Sequence, residues 1–387
     1  MLFHLLNFLH NKRIIYINPF QYVTVRAAAA LIFALLISLL IGPRVIAILR
    51  LLKAGQPIRT VSIKGAPDLA EMHGKKAGTP TMGGVLIVMA LLVPVFLFCN
   101  LLNPLVWLLI LVTFAFATLG FLDDYLKITK KNADGLLPRY KILGQTMTGL
   151  FVGGYLYFFG RTHALGVEYS WFGTNAHGGP FYGYDHIFFP FVKQYYPQIG
   201  GLFIIYVMLV LTFSSNSVNL TDGLDGLCIG VTTIVTIAFM AITYLVSSKD
   251  DAQHLMLAHV PRADEVVVFL GALTGACLGF LWFNAYPAEM FMGDTGSLTL
   301  GGIIATVALI IKQEILLAII GGIFVLEALS VIIQVASYKL TKRRVFLMAP
   351  LHHHYERKGM TEAKIIARFW IVSALLALIG LSSLKLR

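Results

Sequence analysis

Charge is what this chain of 387 residues has least of. Asp, Glu, Lys and Arg make up only 13% of it, about half the share usual in a soluble domain. Acid is scarcer than base, 19 residues against 30, which leaves a formal charge of +11. That excess does not make a nucleic-acid binder, because the Lys and Arg residues fall in loops between apolar runs rather than on one polar domain. Cysteine is equally thin: Cys99, Cys228 and Cys277 lie in or beside apolar runs. Their count is odd and they lack zinc-ligand spacing, so they read most simply as packing residues. There is no P-loop, no G-x-G-x-x-G after a strand and no H-E-x-x-H, so the common nucleotide and zinc-protease signatures are absent.

Apolar sequence is what is present. It makes up 58% of the residues, mean hydropathy is +0.79, and long uncharged runs such as 105–122 show that it is arranged as spans. About 20 apolar residues cross the hydrocarbon as a helix, and only helices or closed barrels satisfy their own backbone there. The fold expected is an all-α polytopic membrane protein, one domain over residues 1–387, with about ten transmembrane helices. They are placed near 25–48, 81–99, 105–122, 142–160, 199–214, 227–247, 265–281, 298–311, 315–338 and 363–384. Alternate loops (50–80, 123–141, 215–226, 282–297, 339–362) hold seventeen Lys and Arg, and the opposite set with both termini holds nine. The positive-inside bias puts the first set in the cytoplasm and both termini in the periplasm. Residues 1–13 read as an interfacial helix, because Lys12 and Arg13 follow the apolar stretch instead of preceding it as in a signal peptide. Gly271, Gly275 and Gly279 recur every four residues and predict a bare helix face against a neighbouring backbone. Pro94 predicts a bend in the second span. The outside loop 161–198 is rich in Tyr, Phe, Gly and Pro.

The unusual polar clusters all fall on the expected cytoplasmic face. Adjacent Asp123 and Asp124 close the third span, and carboxylates held together call for a compensating cation, unless they are a solvated helix end. In Asn216-Ser-Val-Asn219-Leu-Thr-Asp222-Gly223-Leu224-Asp225-Gly226, a continued helix would put Asn219, Asp222 and Asp225 on one face. Asn284, Phe291 and Gly293-Asp294-Thr-Gly-Ser297 lead into the eighth span, with Asp294 either a magnesium ligand or a helix N-cap. His352, His353 and His354 are consecutive, and about 100° per helical residue lets at most two face one ligand. Lys75 and Lys76 beside Thr79-Pro80-Thr81 suit a phosphate at a helix start, or simply the positive-inside bias. Glu327, with Ser330 and Gln334 on its side of the ninth span, is an intramembrane acid that is either functional or bonded within the bundle.

Five of these motifs resemble, in order, those of the phospho-N-acetylmuramoyl-pentapeptide transferases: Gly78-Thr-Pro-Thr-Met-Gly-Gly84, Phe121-Leu-Asp-Asp-Tyr-Leu-Lys127, Asn216 to Gly226, Phe291-Met-Gly-Asp-Thr-Gly-Ser-Leu298 and Ala349-Pro-Leu-His-His-His-Tyr-Glu356. The loop after Arg161 is longer than the family pattern, and Tyr355 stands where Phe is expected. The resemblance implies ten helices with periplasmic termini and a cytoplasmic site. It also implies transfer of phospho-MurNAc-pentapeptide from UDP-MurNAc-pentapeptide to undecaprenyl phosphate in the bacterial inner membrane, with UMP released and Mg2+ required. Asp294 is the implied metal ligand and Asp123 the implied base, with Asp124 and His353 beside them. Lys76, Thr81, Asn219, Asp222, Gly223, Leu224, Asp225, Asn284, Phe291, Gln334, His352 and His354 border the nucleotide and diphosphate. A homodimer is also implied. The Ala349-Pro-Leu-His-His-His354 motif favours this branch over the transferases that load N-acetylglucosamine 1-phosphate. A secondary transporter would instead keep its acids near the midplane, and the chain has no evident inverted repeat.

Overall fold

The computed structural model describes residues 1–14, 16, 18–52, 78–129, 135–160, 183–192 and 195–385. Lys76 and residues 161–182 of the outside loop therefore lie outside the described residues. Within them the α-helices are α1 (Leu2–Asn11), α2 (Val23–Leu51), α3 (Gly84–Phe98), α4 (Pro104–Thr129), α5 (Pro138–Phe159), α6 (Leu202–Thr221), α7 (Leu227–Ser247), α8 (Lys249–His254), α9 (Asp264–Asn284), α10 (Gly293–Ile310), α11 (Glu314–Ile320), α12 (Gly322–Thr341), α13 (Leu351–Arg357) and α14 (Glu362–Ser383). Eight of these, α2, α4, α6, α7, α9, α10, α12 and α14, are long and apolar enough to cross a membrane, and α3 is a shorter apolar helix. The protein is thus an all-α polytopic membrane protein. Helix α3 runs through Pro94 without interruption.

Four boundaries differ from the expectation, and each difference matters for the polar clusters. Helix α4 continues past the apolar run to Thr129, so Asp123 and Asp124 are inside it and buried rather than on a solvated end. Helix α6 continues to Thr221 and stops there, so Asp222 and Asp225 lie past its end and the expected three-residue stripe is cut short. Helix α10 starts at Gly293, which puts Asp294 in its first turn. The ninth span is broken at Gly321 into α11 and α12. Hydropathy tracks lipid, and polar residues at a span end carry helix forward whenever protein groups meet them instead of water.

Helix α10 is the axis of the bundle, with every residue from Thr295 to Ile310 buried. Around it, large apolar side chains such as Leu36, Leu111, Phe114, Leu209 and Leu375 point outward, as lipid-facing surfaces do. The three cysteines are free and buried, as expected of packing residues. The end of the bundle opposite the polar clusters is closed by buried ion pairs. Arg26 Nη1 meets both Glu265 oxygens at 2.7 and 2.8 Å. Lys312 Nζ donates to Glu314 Oε1 at 2.8 Å and to the Tyr184 carbonyl at 2.9 Å, over the Phe203 ring.

The glycine face of α9 does what its spacing predicts. A Cβ on Gly271 would stand 2.5 Å from the Ala27 carbonyl, one on Gly275 would overlap the Leu31 carbonyl, and one on Gly279 would overlap Ser38. Helices α2 and α9 therefore touch backbone to backbone. Gly154 on α5 has nothing within 4 Å of its Cβ position. Gly275→Ala should cost about 1–3 kcal/mol of overpacking and lower the melting midpoint in detergent, while Gly154→Ala leaves it unchanged or raises it. Equal midpoints for the two variants would contradict the close approach.

Candidate active site

One end of the bundle brings four helix termini together: the ends of α4 and α6 and the starts of α5 and α10. Oxygens of Asp123, Asp124 and Asp294 lie within 4.8 Å of one another there. Gly120, one turn before Asp124, makes this possible, since a Cβ there would overlap the Asp294 carbonyl.

The two members of the Asp pair do different work. Asp124 accepts from the Asp294 N–H at 3.1 Å and from the N–H and Oγ1 of Thr295 at 2.9 and 2.7 Å. The first turn of a helix presents free N–H groups and the positive end of its dipole. Helix α10 has no capping side chain of its own, so Asp124 caps it from α4. The N-cap alternative for Asp294 is thereby excluded: it is the capped residue, not the cap. Asp123 instead faces Asp294 across two ammonium groups. Lys127 Nζ lies 2.5 Å from Asp123 Oδ2 and 3.3 Å from Asp294 Oδ1. Lys141 Nζ lies 3.3 Å from Asp123 Oδ1 and 2.5 Å from Asp294 Oδ2. Asn219 completes the cradle by donating to Asp294 Oδ1 at 3.0 Å and to Ser297 Oγ at 2.8 Å.

Asp222 joins this group from just past α6, close to the Gly293 N–H, which favours its charged form. Its burial, with the negative charges of Asp294, Asp124 and Asp225 nearby, pushes its pKa up to about 8. Four carboxyl groups against two lysines leave the site oversupplied with negative charge, the electrostatic signature of a place for cations. The donor set fits a divalent metal: hard carboxylate oxygens, few in number, open to water and substrate for the remaining ligands. Asp294 and Asp123 would hold it, because Asp124 is committed to the helix start.

The other expected residues fall into two further groups. The first ties loops together around the carboxylates. Phe291 N–H donates to the Pro80 carbonyl at 2.8 Å and Gly83 N–H to the Phe291 carbonyl at 2.9 Å, with buried Thr81 between them. Asn284 donates to the Met290 carbonyl at 2.9 Å and accepts from the Gly226 N–H at 3.0 Å. Asp225 accepts from the Ala288 N–H at 3.0 Å, and its own N–H donates to Glu362 at 2.9 Å.

The second group is a strap, residues 343–357, bound along α12. Ser337 Oγ donates to the Arg343 carbonyl at 2.9 Å. Gln334 Oε1 accepts from Val345 and Phe346 N–H at 3.1 and 2.9 Å, and its Nε2 donates to the Phe346 carbonyl at 3.2 Å. Glu327 Oε1 accepts from the His352 N–H at 3.2 Å. Ten helical residues separate the first anchor from the last, so the strap descends about 15 Å along the helix. On α13 the three His side chains diverge, as helical spacing requires. His352 is buried against Glu327, His353 Nδ1 lies 2.6 Å from Glu356, and His354 Nδ1 accepts from the Leu347 N–H at 3.1 Å. Burial and nearby Lys358 lower the His354 pKa, which keeps that nitrogen an acceptor.

Lys127 and Lys141 were not among the expected site residues. Lys127 carried a signal, since it follows Asp123 by four residues on a helix. Lys141 carried none beyond the loop charge bias.

Fold and site together define a polytopic membrane protein with a carboxylate and lysine centre at one end of its bundle. The family model described as "Glycosyl transferase family 4" matches residues 106–312, more than half of the chain, and the "Phospho-N-acetylmuramoyl-pentapeptide-transferase signature 1" matches residues 76–88. The chain is 46% identical over 387 residues, all of both chains, to the phospho-N-acetylmuramoyl-pentapeptide-transferase of Citrifermentans bemidjiense. It is 45% identical over 368 residues to that of Borreliella burgdorferi, covering 95% of this chain and 97% of the relative. The chain belongs to the phospho-N-acetylmuramoyl-pentapeptide transferase family, within glycosyl transferase family 4.

Asp124→Asn places an amide NH2 against N–H donors and removes the charge at the start of α10. A melting midpoint lowered by about 1–3 kcal/mol of lost buried hydrogen bonding is expected; a raised midpoint would mean that repulsion among the carboxylates outweighs the cap.

Proposed function

We propose that this protein transfers phospho-MurNAc-pentapeptide from UDP-MurNAc-pentapeptide to undecaprenyl phosphate, forming lipid I and releasing UMP, as a multi-pass protein of the bacterial inner membrane. The observation that carries the reading is the Asp123 and Asp294 pair bridged by Lys127 and Lys141. Such a centre neutralises and orients phosphates, which is most of what phosphoryl transfer asks of a protein. An apolar groove of about 440 Å3 supports a lipid substrate: it runs from Ser217 and Gly301, beside the centre, past Phe213 and Phe324 to Glu314.

In this reading a lipid phosphate oxygen attacks the sugar-linked phosphorus, the bond to the UMP oxygen breaks, and its electron pair leaves with UMP. A phosphate monoester is largely dianionic at neutral pH, its second pKa being about 6, so Asp123 has no proton it must remove. Its task is to position the nucleophile together with Lys127 and Lys141. Mg2+, held by Asp294 with Asp123, would supply further charge neutralisation at the diphosphate. Lys76, Thr81, Asn219, Asp222, Gly223, Leu224, Asp225 and Asn284 frame the nucleotide and diphosphate, Phe291 stacks on uracil, and Gln334, His353 and His354 present the strap to the sugar phosphate.

The whole chain, 1–387, acts as one transferase domain. The short apolar α3 and the less apolar α5 bring the spans to ten. The loop charge bias places both termini in the periplasm and the carboxylate end at the cytoplasmic face, where a soluble nucleotide sugar and a lipid can meet. Pairing into a homodimer is the expectation that the family resemblance supplies.

Purified protein given UDP-MurNAc-pentapeptide, undecaprenyl phosphate and Mg2+ should release UMP, and Asp294→Asn should abolish release while the protein stays folded. Release with UDP-GlcNAc in place of the muramoyl substrate would move the chain to the sister specificity. No release by folded protein in lipid would overturn the reading.

A further inference from the structure

Glu327 and His352 are both fully buried, yet neither touches the carboxylate centre. Glu327 Oε1 accepts the His352 N–H at 3.2 Å and lies 3.2 Å from the ring Nδ1. Neither ring nitrogen makes a hydrogen bond, and Nε2 is pressed against Gly223, where a Cβ would overlap it. Gly223 follows Asp222, whose carboxyl is near enough to the Gly293 N–H and the Asp294 carboxylate to feel both. A continuous line of contact thus runs from Glu327 in the bundle, through the His352 ring and the Gly223 backbone, to the start of α10.

We propose that Glu327 and His352 are a strut that sets the position of the Asp222 to Asp225 turn relative to the carboxylate centre, and that His352 is a positioning residue rather than a substrate contact. This rests on the transferase reading above. The strut is stiff by construction. Glu327 holds the backbone N–H of His352 and lies beside its ring, and the ring, 1% exposed as a residue, is closely surrounded, as interior side chains are. Glycine at 223 is explained by this contact alone, because its φ is not among the positive ones and alanine would otherwise be accommodated. Displacement of a turn by a side chain's width is the scale of misplacement that costs turnover rather than binding.

The test is a mutant cycle on UMP release, with Gly223→Ala, His352→Ala and the double variant, each checked for an unchanged melting midpoint. Gly223→Ala alone should lower kcat about tenfold or more. His352→Ala should also lower kcat, and the double variant should be no slower than His352→Ala, because the alanine then has nothing to strike. Glu327→Gln, which keeps the acceptor, should retain most activity, whereas Glu327→Leu should match His352→Ala. Multiplicative losses in the double variant would overturn the strut, as would a His352→Ala effect on KM alone, which marks direct substrate contact. If His352→Ala does not fold, His352→Gln takes its place in the same cycle. Activity of the parent protein separates the two levels: an inactive parent sinks the transferase reading, and an active parent with additive variants sinks only the strut.

Discussion

Three carboxylates held within 4.8 Å of one another, at the end of a buried helix, can stand together only if positive charge is supplied among them. Each piece of this end of the bundle supplies some. The N-terminus of α10 offers its dipole and free N–H groups to Asp124. Lys127, one turn further along α4, and Lys141, at the start of α5, each bridge Asp123 and Asp294. Asp222 is held toward its neutral form by its burial first and by the remaining negative charge second. A site in this condition has both a reason to take up a cation and a fixed geometry in which to present it to phosphate.

The bundle reads as the scaffold this centre needs. Helix α10 must be surrounded on all sides for its first turn to be shielded from water, and small residues let its neighbours and theirs come close enough. The far end is closed by the Arg26 and Glu265 pair and by Lys312 with Glu314. Pairs so deeply buried contribute little net stability; Arg26 with Glu265 joins α2 to α9, and Lys312 ties the α10–α11 connection to the Tyr184 carbonyl. Rigidity at one end thus supports precision at the other.

The spans and the fold class were legible in hydropathy, because lipid imposes its length and polarity on any helix that faces it. The Gly271, Gly275 and Gly279 face was legible for the same kind of reason: spacing on a helix is geometry. Asp294 and the Asp pair could be picked out because charged residues at the ends of apolar runs are rare in this chain. What the sequence could not disclose were relations between helices. Asp124 as the cap of α10, Lys141 as a second bridge and His352 as a wedge against Gly223 each depend on residues far apart in the chain. Helix ends were misjudged at α4, α6 and α10 for one cause. Hydropathy stops where polar residues start, whereas these helices stop only where their protein partners do. The divergence of the three His residues follows from helical spacing, but the neighbours each one meets do not.

The central claim is that Asp123 and Asp294 form one cation-sharing pair. Direct titration with Mn2+, followed by electron paramagnetic resonance on the purified, detergent-folded protein, tests it without relying on turnover. The account predicts saturable Mn2+ binding that is lost in Asp294→Asn, weakened in Asp123→Asn and retained in Glu327→Gln. Saturable binding that survives Asp294→Asn unchanged would contradict it.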